Sequence, residues 1–184
     1  MRCGLLGKTL AHSYSPQIHA QLADYSYELF ERHENEIAEL LKNADGLNVT
    51  IPYKQTVMPY LDELSDTARG IGSVNTIVKR ADGTLFGDNT DIYGFKYLLK
   101  RADIDVENKR AIVLGSGGTS KTAVYALKEL GAADVAVISR SGEDNYENIS
   151  RHADADVLIN TTPVGMFPNN GRAAVDLSIF TKLS

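Results

Sequence analysis

The sequence predicts an α/β fold in two parts, on three observations. Short apolar runs of strand length alternate with segments of helical period along most of the chain, the pattern of sheets covered by helices. A glycine turn, Gly115-Ser116-Gly117-Gly118, stands between one such run and one such helical segment. A polar stretch over 103–109 separates that turn from what precedes it. At 184 residues the chain has room for one large domain or two small ones, so these internal signals decide.

In chain order, residues 3–6 are an apolar run closed by Gly7, a buried strand ending in a turn. Ser15 followed by Pro16 reads as a helix N-cap with proline at the first helical position, leading into Ile18 and Leu22 on one face. A second strand is expected over 25–30, a short amphipathic helix over 36–42, and a third strand over 46–52 stopped by Pro52. After a polar helical stretch over 61–69, residues 75–79 and 84–86 flank Ala81-Asp82-Gly83, a hairpin signal that gives an antiparallel edge. Ile92, Phe95, Leu98 and Leu99 then recur at helical spacing from Asp91. Beyond the polar stretch come a strand over 111–114, a helix over 120–130 capped by Gly131, and strands over 134–139 and 156–161. The interval 141–155 is short for a full helix.

Composition narrows the function classes. Hydrophobic residues at 43% and charged residues at 23% are ordinary for a soluble globular protein, so a packed core is expected and disorder is not. A net charge of -5, with 19 scattered Lys and Arg, offers no basic surface for nucleic acid or anionic lipid. The single cysteine, Cys3, has no partner within the chain and reads as a small buried residue in a reducing cytoplasm. No run approaches the roughly 20 apolar residues of a membrane span, and the N-terminal run is too short for a signal peptide, so a cytoplasmic location is expected. His12, His19, His33 and His152 lie outside metal-ligand spacing and read as structural or solvated, with no metal site expected.

The glycine turn carries the first chemistry. Gly115 permits a tight turn, Gly117 and Gly118 leave room for a pyrophosphate, and the following helix offers unpaired N–H groups and the positive end of its dipole. Ser120 takes the place of a third glycine, small enough for close helix packing. About 20 residues on, where an acid would meet a ribose 2′-hydroxyl, stand Ser139-Arg140-Ser141. Arg140 with two hydroxyls suits a 2′-phosphate, so the cofactor expected is NADP and the class a nicotinamide-dependent oxidoreductase. The fold class expected is therefore an N-terminal α/β substrate domain over 1–103, followed by an incomplete Rossmann-like NADP-binding domain over 104–184.

In the first part, polar clusters fall at strand or hairpin ends, where open α/β sheets bind ligands. They are Ser13-Tyr14-Ser15-Pro16, Asn48-Val49-Thr50-Ile51-Pro52-Tyr53-Lys54, Ser73-Val74-Asn75-Thr76 and Gly87-Asp88-Asn89-Thr90-Asp91. Taken singly, Ser15 is a helix cap, Lys54 a solvated lysine, Asn75 a turn residue and Asp91 another cap. Taken in order with Gly115-Ser116-Gly117-Gly118-Thr119-Ser120-Lys121 and Asn160-Thr161-Thr162-Pro163-Val164-Gly165-Met166, they resemble the shikimate dehydrogenase family from Gly4 to about Met166.

That resemblance implies reversible, NADPH-dependent reduction of 3-dehydroshikimate to shikimate, a small-molecule step toward aromatic amino acids, by a monomer or homodimer. It implies Lys54 and Asp91 as the catalytic pair, and Ser13, Ser15, Asn48, Thr50, Lys54, Asn75 and Asp91 as substrate contacts. Cofactor contacts are implied at Gly115, Ser116, Gly117, Gly118, Thr119, Ser139, Arg140, Ser141 and Asn160, Thr161, Thr162, Pro163, Val164, Gly165, Met166. The chemistry suits these types: hydride addition to a ketone leaves charge on oxygen, which an ammonium stabilises and protonates while a carboxylate orients a hydroxyl. The family pattern continues past Met166 with a Tyr-x-Pro strand, a Gly-x-x-Met-Leu-x-x-Gln segment and a returning helix. The sequence stops at Ser184 without them, so the resemblance implies a C-terminally truncated member with weak or no activity and an exposed sheet edge. A second arginine common after the position of Arg140 is also missing, and Asp144 lies nearby. The alternatives are a quinate or dual quinate/shikimate dehydrogenase, whose members often carry threonine where Ser15 stands, and a truncated non-catalytic ligand-binding form.

Overall fold

The structure is a computed structural model that describes residues 1–11, 13–22, 24–167 and 170–183. His12, read above as structural or solvated, lies outside the described residues. The chain forms two compact units, Met1–Thr90 and Asp91–Ser184.

In the first unit, strand β1 (Arg2–Gly7) is followed by helix α1 (Ser15–Leu22), β2 (Ser26–Glu31), α2 (Ile37–Asn43) and β3 (Gly46–Val49). Then come β4 (Glu63–Leu64), α3 (Asp66–Ile71), β5 (Thr76–Lys79) and β6 (Leu85–Asp88). The six strands run in the order β2-β1-β3-β5-β6-β4. β1 pairs in parallel with both β2 and β3, and the β5–β6 hairpin closes antiparallel on β3. The hairpin is as the Ala-Asp-Gly signal predicts, but the outer edge belongs to β4, two residues paired parallel to β6. Leu6, Phe30, Ile37, Leu41, Leu47, Val49, Val57 and Val74 make its core, each 3% exposed or less. Helix α1 is different, since it contains no buried residue and its apolar Ile18 and Leu22 face solvent.

The second unit begins with α4 (Asp91–Arg101), which the sequence reading grouped with the first part. Its Leu99 is buried with Ala123 and Leu127 of α5 (Gly118–Glu129), and this packing assigns it to the unit that follows. Strands β7 (Arg110–Leu114), β8 (Asp134–Ile138) and β9 (Val157–Asn160) form a parallel sheet in the order β8-β7-β9. Ala111 and Val113 face one core, with Leu99, Ala123 and Leu127. Ile112 and Leu114 face the other, with Ile138, Ile149, Ala155 and Phe180. Alternate residues of one strand thus enter two cores, so the central strand is apolar without a break, as a sheet covered on both faces requires. The interval 141–155 supplies a single 3-10 turn, Ile149–His152, and no α-helix.

Candidate active site

Both units carry the same parallel arrangement, with the first strand in the middle and its successors on either side. Chain connections therefore leave the central strand in opposite directions, and a crevice opens at its carboxyl end. In the first unit that place is the end of β1 and β3, where the Ser13–Ser15 segment and residues 48–54 lie.

Ser13 and Ser15 sit at the start of α1. The helix begins at Ser15 itself, with the Ile18 N–H donating to the Tyr14 carbonyl at 3.1 Å. Ser13, rather than Ser15, does the capping work, since its hydroxyl accepts from the Ser15 N–H at 3.2 Å. The Ser15 hydroxyl is thereby left for other uses. Strand β3 ends at Val49, earlier than the expected 52. The Thr50 N–H makes one last bond to the Leu6 carbonyl at 2.9 Å, and Tyr53 N–H then turns back to the Thr50 carbonyl at 2.9 Å. Tyr53 and Val57 are buried beneath this turn while Lys54, between them, is half-buried. Lys54 is thus held on a bend anchored on both sides, and its carbonyl accepts from Val74 N–H at 2.8 Å.

Asn48 and Asn75 are oriented by their neighbours. The Tyr27 hydroxyl donates to Asn48 Oδ1 at 2.7 Å, and Asn48 Nδ2 lies 3.5 Å from Thr76 Oγ1. Asn75 is 8% exposed, and its Oδ1 accepts from the Thr76 hydroxyl at 3.0 Å and the Thr90 N–H at 2.8 Å. Asn48, on β3, and Asn75, just before β5, are linked through Thr76, the β5 residue that pairs with Asn48. Tyr27 is a participant that sequence reasoning missed, and Thr76 and Thr90, named only within polar clusters, were assigned no contact of their own. The available signal was Tyr25 and Tyr27 alternating along one strand beside an Asn-rich set, and it reads equally well as an ordinary strand. Asp91 opens α4 and belongs to the second unit.

In the second unit the end of β7 is the glycine turn. Gly115 has φ +104°, and a Cβ there would stand 2.9 Å from Thr161 Oγ1, so both backbone and packing require glycine. Gly117 is the N-cap of α5 with an ordinary φ of -80°, and a Cβ there would meet nothing within 4 Å. The space in front of it is open, as a pyrophosphate at the helix N-terminus needs. Helix α5 starts at Gly118, two residues before the expected 120, and Ser120 is 2% exposed, packed close as a third glycine would be. Ser116 and Thr119 are exposed on the turn.

The end of β9 lies beside the glycine turn. Thr161 donates to the Leu114 carbonyl from both its N–H, at 3.0 Å, and its hydroxyl, at 2.6 Å. Asn160 shapes the next residues, accepting from the Thr162 N–H at 3.0 Å and donating to the Val164 carbonyl at 3.0 Å. Pro163, Gly165 and Met166 continue this loop, with Met166 64% exposed. At the end of β8, Ser139 is buried while Arg140 and Ser141 are exposed. Asp144 bends back so that its carbonyl accepts from Ser139 N–H, and its carboxylate lies 3.0 Å from His152 Nε2. Among the described residues no hydrogen-bond acceptor lies in line with that ring N–H, so this is an electrostatic contact rather than an aligned hydrogen bond. Asp144 is thus occupied by a buried histidine, and Arg140 sets the charge at the end of β8.

Residues 5–77 match the family described as the shikimate dehydrogenase substrate binding domain. A shikimate dehydrogenase (NADP(+)) of Clostridium beijerinckii is 41% identical, over 90% of this chain and 68% of the relative. The chain belongs to the shikimate dehydrogenase family. Among solved structures, shikimate dehydrogenase 1 of Peptoclostridium difficile superposes with a TM-score of 0.86 at 38% identity, covering 97% of this chain and 74% of that one. The shikimate 5-dehydrogenase of Thermus thermophilus, in complex with NADP(H) and shikimate, gives a TM-score of 0.84 at 30% identity, covering 98% and 75%. The chain thus spans about two thirds to three quarters of the length of these relatives. No helix among the described residues is long and apolar enough to cross a membrane.

Proposed function

We propose that this member of the shikimate dehydrogenase family catalyses the reversible NADPH-dependent reduction of 3-dehydroshikimate to shikimate, on the route to chorismate and the aromatic amino acids. The observation that carries the reading is the grouping of Ser13, Ser15, Asn48, Thr50 and Lys54 at the carboxyl ends of β1 and β3, where the strand order reverses.

In this reading the hydroxyls of Ser13 and Ser15 donate to the substrate carboxylate. Asn48, Thr50, Asn75 and Asp91 hydrogen-bond the ring oxygens. In reduction Lys54 brings an ammonium to the reacting oxygen, stabilising the charge that develops there and giving it a proton; in oxidation the neutral amine takes the hydroxyl proton. The residues of the second unit suit the cofactor: the N-terminus of α5 with Gly115, Ser116, Gly117, Gly118 and Thr119 would hold the pyrophosphate. Ser139, Arg140 and Ser141 would hold the ribose 2′-phosphate, and the loop 160–166 would flank the ribose and nicotinamide. Hydride transfer is the chemistry that NADP(H) supplies when bound.

Cys3 is a buried free thiol whose pKa is pushed up chiefly by burial, a state suited to the reducing cytoplasm in which we place the enzyme, as a monomer or homodimer. The test is Lys54→Ala assayed by NADPH formation from shikimate. The expected result is a loss of kcat by at least about 10²-fold with KM for shikimate changed much less. Turnover retained in that variant would remove Lys54 from the mechanism.

A further inference from the structure

We infer that Tyr27 is a positioning residue of the substrate site, its hydroxyl fixing Asn48 and its ring, stacked on His19, securing the helix that carries Ser15, for a ligand that carries a carboxylate and ring hydroxyls. The inference rests on the shikimate reading above and adds to it a residue outside the six sequence motifs.

The Tyr27 hydroxyl donates to Asn48 Oδ1 at 2.7 Å. Asn48 then has its carbonyl end engaged and its donor end turned toward Thr76, so the amide has one orientation in which to meet a hydroxylated ring. Burial keeps the phenol neutral, with its pKa pushed up to about 12, so no second anion faces an incoming carboxylate.

The ring is clamped as well. His19 stacks on Tyr27 with centroids 3.8 Å apart and planes 13° from parallel, and its Nδ1 is hydrogen-bonded to the Tyr25 hydroxyl. Ser15 and His19 are four residues apart, hence on one face of α1. That face meets Tyr27 of β2 and Tyr25 just before the strand, both through His19. Because α1 contains no buried residue, this polar and stacked seam, and not an apolar stripe, sets where Ser15 stands.

The test is Tyr27→Phe, which keeps the ring and its stack and deletes the hydroxyl. Shikimate binding by calorimetry, steady-state kinetics and the melting temperature are measured on the whole chain, in the wild-type and Asn48→Ala backgrounds. The expected result is a rise of Kd and KM for shikimate by roughly three- to tenfold, with kcat reduced less and KM for NADP unchanged. The same change should cost less in the Asn48→Ala background, because part of its effect runs through that amide. Unchanged shikimate affinity, whether or not the melting temperature falls, or full additivity with Asn48→Ala, would overturn the inference while leaving the shikimate reading intact. A wild-type chain that neither binds nor oxidises shikimate would overturn that reading, and the inference with it.

Discussion

Tyr27 ties the chemistry of single side chains to stability as well as to binding. Burial is the largest cause of its raised pKa, opposed by the nearby Ser15 side chain and reinforced by the charges of Tyr25 and Cys3. The folded value of about 12 stands above the ordinary 10.0, so the folded protein keeps a proton that the unfolded chain gives up. The stabilisation is therefore complete below pH 10.0 and is lost as pH rises toward about 12. Urea denaturation across that window should show wild-type stability falling more steeply with pH than that of Tyr27→Phe; equal slopes would contradict the assignment. Ser13, Ser15, Asn48 and Lys54 could be proposed from the sequence because each sits within a compact motif. Tyr27 was not, because its role depends on strand register. It pairs with Cys3 of β1, while Asn48 pairs with Leu5, two residues farther along the same face. Only the sheet brings residues 27 and 48 together.

At the level of elements, the turn between β7 and α5 is bound to the end of β9 by Thr161, whose hydroxyl and N–H both reach the Leu114 carbonyl. Gly115→Ala adds a methyl 2.9 Å from that hydroxyl at a φ of +104°. The expected cost is about 1–3 kcal/mol of stability, from strained backbone and from displacement of Thr161, with weakened NADP binding. Chemical denaturation and the KM for NADP read both effects, and a variant of wild-type stability would refute the packing argument. Strands and helices were legible from their apolar periods, and the ends of elements were less so. β3 stops at Val49 because the backbone of residues 50–53 closes on itself, and no side chain announces that closure. Ser15 looked like the cap, yet Ser13 performs that role, since either hydroxyl satisfies the same sequence rule. The second unit claims α4 because Leu99 packs on α5, a tertiary choice invisible to a pattern of period 3.6.

Over the whole molecule, the two units repeat one design, a central parallel strand with neighbours added on opposite sides, and each places its polar motif at the end of that strand. Two ligands should therefore leave separate footprints. In hydrogen exchange, shikimate is expected to protect amides near Ser15, Asn48 and Asn75, and NADP those near Gly117, Arg140 and Thr161. At a hundred times Kd, protection in the ligand's own unit rises by up to about 2.7 kcal/mol. Protection by either ligand confined to the other unit would contradict the assignment of sites. The two-part plan was legible because the glycine turn and the serine, asparagine and lysine motifs occupy different stretches of chain. The position of the boundary was not, since Thr90 and Asp91 belong to one continuous polar motif.

Helix α1 has a kinetic consequence. It brings Ser15 to the site without burying a single side chain, so little apolar area holds it in place, and its local opening free energy lies at the low end for the fold. Held by the His19–Tyr27 stack and the His19–Tyr25 hydrogen bond, these eight residues are expected to shift as ligand enters and leaves, an opening that breaks no core.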